Sequence, residues 1–367
     1  MDAVVCTDFG ESEVRDVPRP DPIDDEVLIE VERVQLSVTE CSLYRGADVI
    51  HAESIGERIE SGDGRLFGHE FCGEVVELGP DTERFSVGDR VYAPGRIPCH
   101  DCAYCRAGYH HFCKDKVSIG YDTPGALAEY LALPEWPLAR LSEDVTPASG
   151  AAMQPLHNSL IAVRDAGVDT GDVVAVLGTG VMGYQCGQFA LQHGAGAVHA
   201  IDVVPEKLEH AGERGMVPVD AGETDPVQAV VEATDGIGAD VVFECVGGPH
   251  EHGTDGSDPL AQAFGMARSG GSVVQIGHIA GDLTVTPRAI RSKAVDWLNP
   301  TTAMYDVGPN ANSGEVAARM VADGRVSIEE YVTHVFDDLA DFDRLVDVTL
   351  DKPTYGALGP AQIAVSG

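Results

Sequence analysis

Four closely spaced cysteines constrain this chain more than any other feature of its sequence. They are Cys99, Cys102, Cys105 and Cys113, spaced C-x2-C-x2-C-x7-C in a polar segment without apolar periodicity. Such a loop cannot bury a hydrophobic core of its own, but four thiolates can close a tetrahedral zinc site whose binding energy folds the loop. Four unrelated cysteines or an iron–sulfur site are the alternatives, and the missing proline after the last cysteine disfavours the second. The spacing predicts a structural zinc that does no chemistry.

Length and composition indicate two globular domains. The chain has 367 residues, a length greater than a single hydrophobic core usually holds. Its hydrophobic content of 44% is enough for globular folding. No apolar run is long enough for a bilayer, and the acidic N-terminal segment lacks the basic region of a secretory signal. Nine cysteines, four of them in the metal loop, favour a reducing compartment, so we expect a cytoplasmic protein.

The charge of the chain excludes several kinds of partner. Sixty acids face 24 basic residues, for a net charge of -36, and the five lysines are Lys114, Lys116, Lys207, Lys293 and Lys352. This surface would repel nucleic acid and anionic membranes. The acids are dispersed along the chain and do not form a tail, a pattern that resembles proteins of salt-in halophiles. An ordinary acidic cytosolic protein is the alternative.

The pattern of predicted secondary structure changes along the chain. Residues 1–155 contain short β-runs between Gly/Pro turns, such as residues 27–31, 73–76 and 89–92. Residues 151–294 alternate strands with helices, which predicts a parallel sheet covered on both faces. The predicted strands there are 173–177, 197–201, 240–245 and 272–276, and the predicted helices are 183–193 and 205–214. The last part adds predicted helices at 313–323 and 339–347.

A dinucleotide-binding fingerprint opens the alternating region. The segment from Gly178 to Gly183 is G-x-G-x-x-G, directly after an apolar strand, with Val181 and Met182 beginning a helix. The glycines allow a tight turn, a close approach of the backbone to a pyrophosphate, and close packing of helix on strand. Asp202 ends the next strand, where a carboxylate accepts hydrogen bonds from the ribose hydroxyls and repels a 2′-phosphate. Val203, Val204 and Pro205 follow it, with no nearby arginine to bind a 2′-phosphate, so the sequence predicts NAD as the cofactor.

A second set of metal-binding residue types lies upstream. His69 and Glu70 follow Gly68, and Cys41 precedes them. Imidazole, thiolate and an oxygen ligand suit a catalytic zinc with one open position. A buried core histidine with a small apolar cysteine explains the same residues equally well.

Together these motifs resemble the zinc-dependent medium-chain dehydrogenases. The resemblance rests on the segment 68–79 (GHEFCGEVVELG), the cysteine lobe, the glycine turn, and the segments 238–247 and 270–277. It implies an α/β fold, with a GroES-like β-rich catalytic domain (1–155 and 295–367, zinc lobe 95–115) and a doubly wound Rossmann domain (156–294).

The resemblance also implies the site residues. Cys41, His69 and Glu70 would hold a catalytic zinc, and Gln154 stands where the polyol and sugar branch has a further ligand, so that two zinc ions are expected per chain. Val246, Ile276 and Gly277 join the glycine turn and Asp202 as expected NAD contacts.

Two departures from the family concern catalysis and substrate access. Leu43 stands where the family has a hydroxyl residue that relays the substrate proton, and Ser42, Thr39, Tyr44 or His51 could replace it. The segments 46–66 and 248–259 look long and would shape substrate access, or be plain surface loops.

The expected activity is zinc-dependent hydride transfer between NAD and a small alcohol, polyol or sugar hydroxyl, or the corresponding carbonyl. A zinc-independent type of reductase from the same superfamily and a non-catalytic nucleotide- or metal-binding protein are the alternatives. The family also implies a homodimer or homotetramer.

Overall fold

The structure is a computed structural model and describes residues 1–47, 51–249, 254, 257–301, 304–308 and 311–365. These residues form two compact units, Met1–His157 with Ala303–Gly367, and Asn158–Thr302. In the described residues no helix combines the length and the apolar character that crossing a membrane requires.

The strands are numbered in chain order. They are β1 (Asp2–Asp8), β2 (Glu11–Asp16), β3 (Glu26–Gln35), β4 (Glu70–Leu78), β5 (Arg90–Tyr92), β6 (Tyr130–Pro134), β7 (Ala139–Arg140), β8 (Val173–Leu177), β9 (Ala197–Asp202), β10 (Val217–Asp220), β11 (Ala239–Glu244), β12 (Gly248–Pro249), β13 (Ala267–Gln275), β14 (Ile279–Ala280), β15 (Asp296–Leu298), β16 (Asp306–Gly308), β17 (Ala311–Asn312), β18 (Val335–Phe336) and β19 (Gln362–Ala364).

The α-helices are numbered in the same way. They are α1 (Val38–Tyr44), α2 (Ala52–Ser61), α3 (Ala103–Arg106), α4 (Pro147–Ala151), α5 (Met153–Ala166), α6 (Val181–His193), α7 (Pro205–Glu213), α8 (Pro226–Ala233), α9 (Pro259–Met266), α10 (Pro287–Arg291), α11 (Ser313–Ala322), α12 (Phe342–Leu350) and α13 (Lys352–Tyr355). Short 3₁₀ turns cover His110–Phe112, Glu329–Tyr331 and Leu339–Asp341.

The first unit is built on a mixed sheet. Its strand order is β18-β19-β3-β4-β5-β7, with β6 also paired to β3. The long strand β3 is the centre of this sheet, because Val27, Leu28 and Ile29 are all fully buried. The register between β3 and β4 is irregular near Gly73. A Cβ at Gly73 would lie only 2.3 Å from the Glu30 carbonyl oxygen, so only glycine fits at this position.

The second unit is a doubly wound parallel sheet. Its strand order is β10-β9-β8-β11-β13-β15, and every pairing in it is parallel. The chain moves outward from β8 in one direction through β9 and in the other through β11. The carboxyl ends of β8 and β11 therefore form the switch point where such sheets bind ligands.

The predicted fold class is confirmed, and the predicted strands and helices overlap the observed ones, except that residues 339–341 of the predicted helix 339–347 form a separate 3₁₀ turn. The segments 27–31 and 173–177 lie in β3 and β8, and 183–193 lies in α6. The domain limits differ from the prediction at two places. Residues 156–157 belong to the first unit. Residues 295–302 belong to the second unit, because β15 pairs with β13 and extends the parallel sheet.

The two long segments expected to shape access are only partly described. Residues 48–50 of the segment 46–66 lie outside the described residues, and the rest includes α2. Residues 250–253 and 255–256 of the segment 248–259 also lie outside them.

Candidate active site

The four cysteines of the lobe converge on one point. Their ligand atoms all lie within 4.8 Å of one another, and in the described residues they are the one such group of His, Cys, Asp or Glu side chains. The sulfurs of Cys99 and Cys105 are 4.0 Å apart, and those of Cys113 and Cys99 are 3.5 Å apart. Tetrahedral zinc with Zn–S bonds of about 2.3 Å needs sulfur separations of about 3.8 Å. The lobe residues therefore fit a closed zinc site.

Backbone donors support this site. The Cys99 N–H donates to the Cys113 sulfur and the Cys102 N–H to the Cys99 sulfur, each at 3.3 Å. The backbone N–H of Cys105 is the largest influence on the Cys102 thiol and lowers its pKa. Such donors favour the thiolate form that binds a metal.

The junction of β3 and α1 places a buried acid next to His69. Ser37 caps α1 and forms a capping box with Glu40, in which the side chain of each residue bonds the backbone N–H of the other. Glu40 is fully buried, and its Oε1 accepts from the Gly68 N–H at 2.7 Å and the His69 N–H at 3.2 Å. The box thus directs one carboxylate at the loop that carries His69.

Each ring nitrogen of His69 faces a carboxylate. Nδ1 lies 2.8 Å from Glu40 Oε1, and Nε2 lies 3.8 Å from Glu70 Oε1. Burial is the largest single influence and would lower the pKa of His69, but the charge and hydrogen bond of Glu40 together with the charge of Glu70 raise it. Burial would likewise raise the pKa of Glu40, yet His69 and the backbone donors lower it. A proton on Nδ1 directed at Glu40 leaves the Nε2 lone pair facing Glu70.

Glu70 is held by a row of buried amides across three strands. Gln35 lies opposite Glu70 in β3 and β4, and Gln362 lies opposite Gln35 in β19. Gln35 Nε2 donates to Glu70 Oε2 at 2.6 Å, and Gln362 Nε2 donates to Gln35 Oε1 at 3.1 Å. Burial raises the pKa of Glu70 to about 7. One Glu70 oxygen is fixed in the sheet, and the other points towards His69.

Cys41 does not join this group, which corrects the expected catalytic zinc set. Its thiol is fully buried in the hydrophobic core and bonds Thr349 of α12. Tyr44, three residues later on the same helix face, packs its ring 4.9 Å from that of Phe342, also in α12. Glu40 lies about 100° around the helix from Cys41. The set Cys41, His69 and Glu70 therefore does not fit a metal ion in this structure.

Gln154 and the proton-relay candidates have different surroundings. Gln154 is the second residue of α5 and is half-buried, and its role as a ligand stays a prediction. The Tyr44 hydroxyl donates to Asp343 at 2.9 Å, so it is engaged with α12, and Leu43 is buried in the core. Ser42 is half-buried and Thr39 exposed.

His51 is the relay candidate that lies beside the His69 group. Its ring stacks on Tyr121 with centroids 4.7 Å apart, and Tyr121 lies 5.5 Å from the His69 ring. Burial is the main cause that lowers the pKa of His51. A hydrogen bond joins the side chains of Tyr121 and Ser37. Tyr121 and Glu40 are site residues that sequence reasoning missed. The capping pattern Ser37-x-x-Glu40 was a usable signal for the second, whereas Tyr121 lies in a loop without a motif.

In the second unit the glycine turn fits a pyrophosphate. Gly178 has φ +86°, and a Cβ there would lie 2.8 Å from the Val246 side chain. A Cβ on Gly183 would lie 1.9 Å from the Gly178 carbonyl oxygen, whereas one on Gly180 would meet no atom within 4 Å. The helix α6 begins at Val181 without a side-chain cap, so the N–H groups of its first turn, including that of Met182, face the open space above Gly180.

Asp202 ties the glycine turn to the end of β9. Its Oδ2 accepts from the Thr179 N–H at 2.8 Å, and its Oδ1 accepts from the Val203 and Val204 N–H groups at 2.8 and 3.0 Å. The carboxylate is partly exposed, and Val203 beside it is 65% exposed. The Thr179 hydroxyl also donates to Oδ2 at 3.0 Å, so each oxygen already accepts two hydrogen bonds, and a ribose hydroxyl would have to replace or share one of them.

A buried acid organises the loops after β11 and β13. Glu244 Oε1 accepts from the Val246 N–H at 2.9 Å and the Gly247 N–H at 2.8 Å. Its backbone oxygen accepts from the Ile276 and Gly277 N–H groups at 2.8 and 2.9 Å. Thus the expected contacts Val246, Ile276 and Gly277 surround one fully buried carboxylate, which the sequence did not single out.

Comparison with known protein families and proteins identifies sequences that are similar to this chain. Residues 23–143 match the family "Alcohol dehydrogenase GroES-like domain", and residues 181–307 match the family "Zinc-binding dehydrogenase". The erythritol/L-threitol dehydrogenase of Mycolicibacterium smegmatis is 30% identical over 359 residues, which is 95% of this chain and 94% of that protein. The chain belongs to the zinc-type medium-chain alcohol dehydrogenase family.

Other members of this family agree in sequence and in fold. The sorbitol dehydrogenase of Halalkalibacterium halodurans is 31% identical over 76% of this chain and 78% of its own length. Among solved structures, the alcohol dehydrogenase TADH of Thermus sp. ATN1 superposes with a TM-score of 0.80 at 26% identity, covering 100% of both chains. These matches extend the family assignment to the whole chain, including both units.

Proposed function

We propose that this chain is an NAD-dependent dehydrogenase that oxidises a hydroxyl of a small alcohol or polyol, or reduces the corresponding carbonyl. One observation carries the proposal: a buried histidine, His69, is held between Glu40 and Glu70 in the same chain as a dinucleotide turn that ends at Asp202. The relatives named for erythritol/L-threitol and sorbitol support a polyol as the substrate class.

The cofactor preference rests on Asp202. Its carboxylate lies at the end of β9, fixed by Thr179 and by two backbone N–H groups. A negative charge held there accepts hydrogen bonds from two ribose hydroxyls and repels a 2′-phosphate. The apolar, exposed Val203 offers no cation to such a phosphate. We therefore propose NAD over NADP.

When bound, NAD accepts or donates the hydride, and the protein supplies binding and orientation. Gly178, Gly180 and the first turn of α6 take the pyrophosphate, and Asp202 takes the ribose. The loops at Val246 and Gly277 are fixed through Glu244 and orient what lies beyond the carboxyl end of the sheet.

Two metal sites remain part of the proposal, with different support. The four lobe cysteines hold a structural zinc, which their geometry supports. A second ion would use His69 and Glu70, with Gln154 as a further oxygen ligand. The predicted thiol Cys41 is not available to it, so no catalytic step is assigned to that ion here.

Proton transfer is assigned to the His51 side of the site. His51 stacks on Tyr121 and is partly exposed, so it can pass a proton to solvent. Tyr121 in turn bonds Ser37 beside Glu40. General acid–base assistance of this kind typically contributes about 10²–10⁴-fold to the rate.

Compartment and assembly are proposals of lesser weight. None of the nine cysteines lies in a disulfide in the part of the chain that the structure describes, which supports a reducing compartment such as the cytoplasm. The family resemblance supports a homodimer or homotetramer, and the charge of -36 supports a halophilic origin.

The two competing functions have distinct experimental outcomes. A reductase of the zinc-independent type would reduce double bonds without metal at His69, and a binding protein would take up NAD without turnover. A panel of erythritol, threitol, sorbitol and simple secondary alcohols, assayed by NADH absorbance at molar salt, tests the proposal. Oxidation of at least one polyol supports it, and binding of NAD without turnover of any hydroxyl or carbonyl substrate contradicts it.

A further inference from the structure

We propose that the metal site at His69 contains no sulfur: the Ser37 hydroxyl joins His69 Nε2, Glu70 Oε1 and the already proposed Gln154 as a donor, while Cys41 is a structural core residue. The proposal deepens the proposed function, on which it rests for the presence of a second metal ion. It follows from the disagreement between the expected donor set and the observed one.

The position of Cys41 is set by the packing of α1. The face with Cys41, Leu43 and Tyr44 is buried. Tyr44 and Arg45 attach the helix to α12 through the ring of Phe342 and a 2.6 Å ion pair with Asp347. Turning Cys41 towards His69 would break these contacts and pull the thiol out of the core.

The nitrogen and the carboxylate oxygen are close to the geometry a metal needs. His69 Nε2 and Glu70 Oε1 are 3.8 Å apart. In a tetrahedral site with metal–nitrogen and metal–oxygen bonds of about 2.0–2.1 Å, two ligand atoms lie about 3.4 Å from each other. A small shift of the free Glu70 oxygen closes that difference, because Gln35 holds only the other oxygen. The contact of Nδ1 with Glu40 leaves Nε2 as the donor atom.

Ser37 supplies a side-chain oxygen from the same side of α1 as Glu40. Its Oγ lies 3.0 Å from Glu40 Oε2 and is also bonded to Tyr121, whose ring neighbours His69. Ser37 is the last residue before α1 and is partly exposed. The proposal places this oxygen on the ion at His69 while it keeps the Glu40 N–H as the cap of α1.

Replacing a thiolate by a neutral hydroxyl removes one negative charge from the site. The ion at His69 should therefore be held less tightly than the zinc in the four-cysteine lobe, and the site should lack the preference of thiolates for soft metals. A chelator should remove one zinc equivalent well before the other.

The test uses the full chain in molar salt, with zinc stoichiometry measured before and after limited treatment with dipicolinate. We expect two equivalents, one of them labile, in the native protein and in Cys41→Ala and Cys41→Val. We expect the labile equivalent to be lost or bound at least tenfold more weakly in Ser37→Ala and His69→Ala. Loss of that equivalent in both Cys41 variants, with near-native circular dichroism, would overturn the proposal.

Cobalt gives a readout that is independent of activity. With zinc kept in the lobe and Co²⁺ in the labile site, the native protein should show no thiolate-to-cobalt charge-transfer absorption. Ser37→Cys should gain that absorption, and Cys41→Ala should leave the native spectrum unchanged. A thiolate band in the native protein that Cys41→Ala abolishes would overturn the proposal. If the donors behave as expected but no hydroxyl compound is oxidised, the proposed function fails and the donor set stands.

Discussion

Oε1 of Glu40 lies 2.8 Å from Nδ1 of His69, and the same oxygen accepts the N–H groups of Gly68 and His69. One buried carboxylate thus fixes both the backbone and the ring orientation of the histidine. The capping box at Ser37 connects this contact to the start of α1. The geometry of the candidate site is therefore set where β3 passes into α1.

Glu40→Ala should lower both stability and metal retention. The variant leaves the N–H groups of Gly68 and His69 without their acceptor and removes the carboxylate beside the His69 ring, and loss of such an acceptor typically costs about 1–3 kcal/mol of unfolding free energy. Loss of such a partner also weakens metal binding about 10–100-fold. Chemical denaturation and zinc titration measure the two effects. Glu53→Ala, at an exposed position in α2, is the matched control, and equal behaviour of the two variants would contradict the role of Glu40.

Asp202→Gly combined with Val203→Arg should shift the cofactor preference towards NADP. The change removes the acid that repels a 2′-phosphate and adds a cation beside it. The ratio of kcat/KM values for the two cofactors measures the shift. Because Asp202 also holds Thr179, Val203→Arg alone is the control that keeps the turn intact. A native protein that uses NADP better than NAD would show the ribose argument to be wrong.

His51→Gln should lower kcat by about 10²–10⁴-fold if this ring relays the proton. Since burial lowers the pKa of His51, its neutral form accepts protons at any pH above that lowered value. Native activity in the oxidative direction should rise as the pH passes upward through a value below 6.5, and this limb should disappear in the variant. Ser42→Ala and Tyr44→Phe are parallel variants from the same segment. Three variants with native pH profiles would mean that water carries the proton.

Low ionic strength should destabilise the protein. The chain has 60 acidic and 24 basic residues, so one-to-one pairing would leave 36 acids over (60 − 24). At molar salt the screening length falls to about 3 Å, which suppresses their mutual repulsion. The melting temperature should rise steadily with KCl concentration, and an equally concentrated sucrose series controls for non-ionic effects. An unchanged melting temperature in dilute buffer would contradict this account.

The parts of the molecule that local sequence spacing determines could be predicted. The four cysteines lie within 15 residues and one short loop, so their spacing alone brings the sulfurs together. The glycine turn is likewise local, because Gly178, Gly180 and Gly183 lie within six residues between one strand and one helix. The strands of the parallel sheet were visible as short apolar runs for the same reason.

The ligands around His69 depend on contacts that sequence spacing does not contain. Gln362 reaches Gln35 across 327 residues of chain, and Glu40 finds its donors at the start of β4. Cys41 was predicted as a zinc ligand because a cysteine near a G-H-E segment matches a ligand pattern. The register of α1 instead turns its thiol towards α12. One residue of helix register, about 100° of rotation, separates a site residue from a core residue.

The central claim is tested most directly by initial rates of NAD reduction with the polyol panel at molar salt. The account predicts that at least one polyol is oxidised with NAD, that NADP gives a kcat/KM at least tenfold lower, and that His69→Ala abolishes turnover while the protein remains folded. Turnover unaffected in a folded His69→Ala variant would contradict the account, as would NAD binding without oxidation of any hydroxyl substrate.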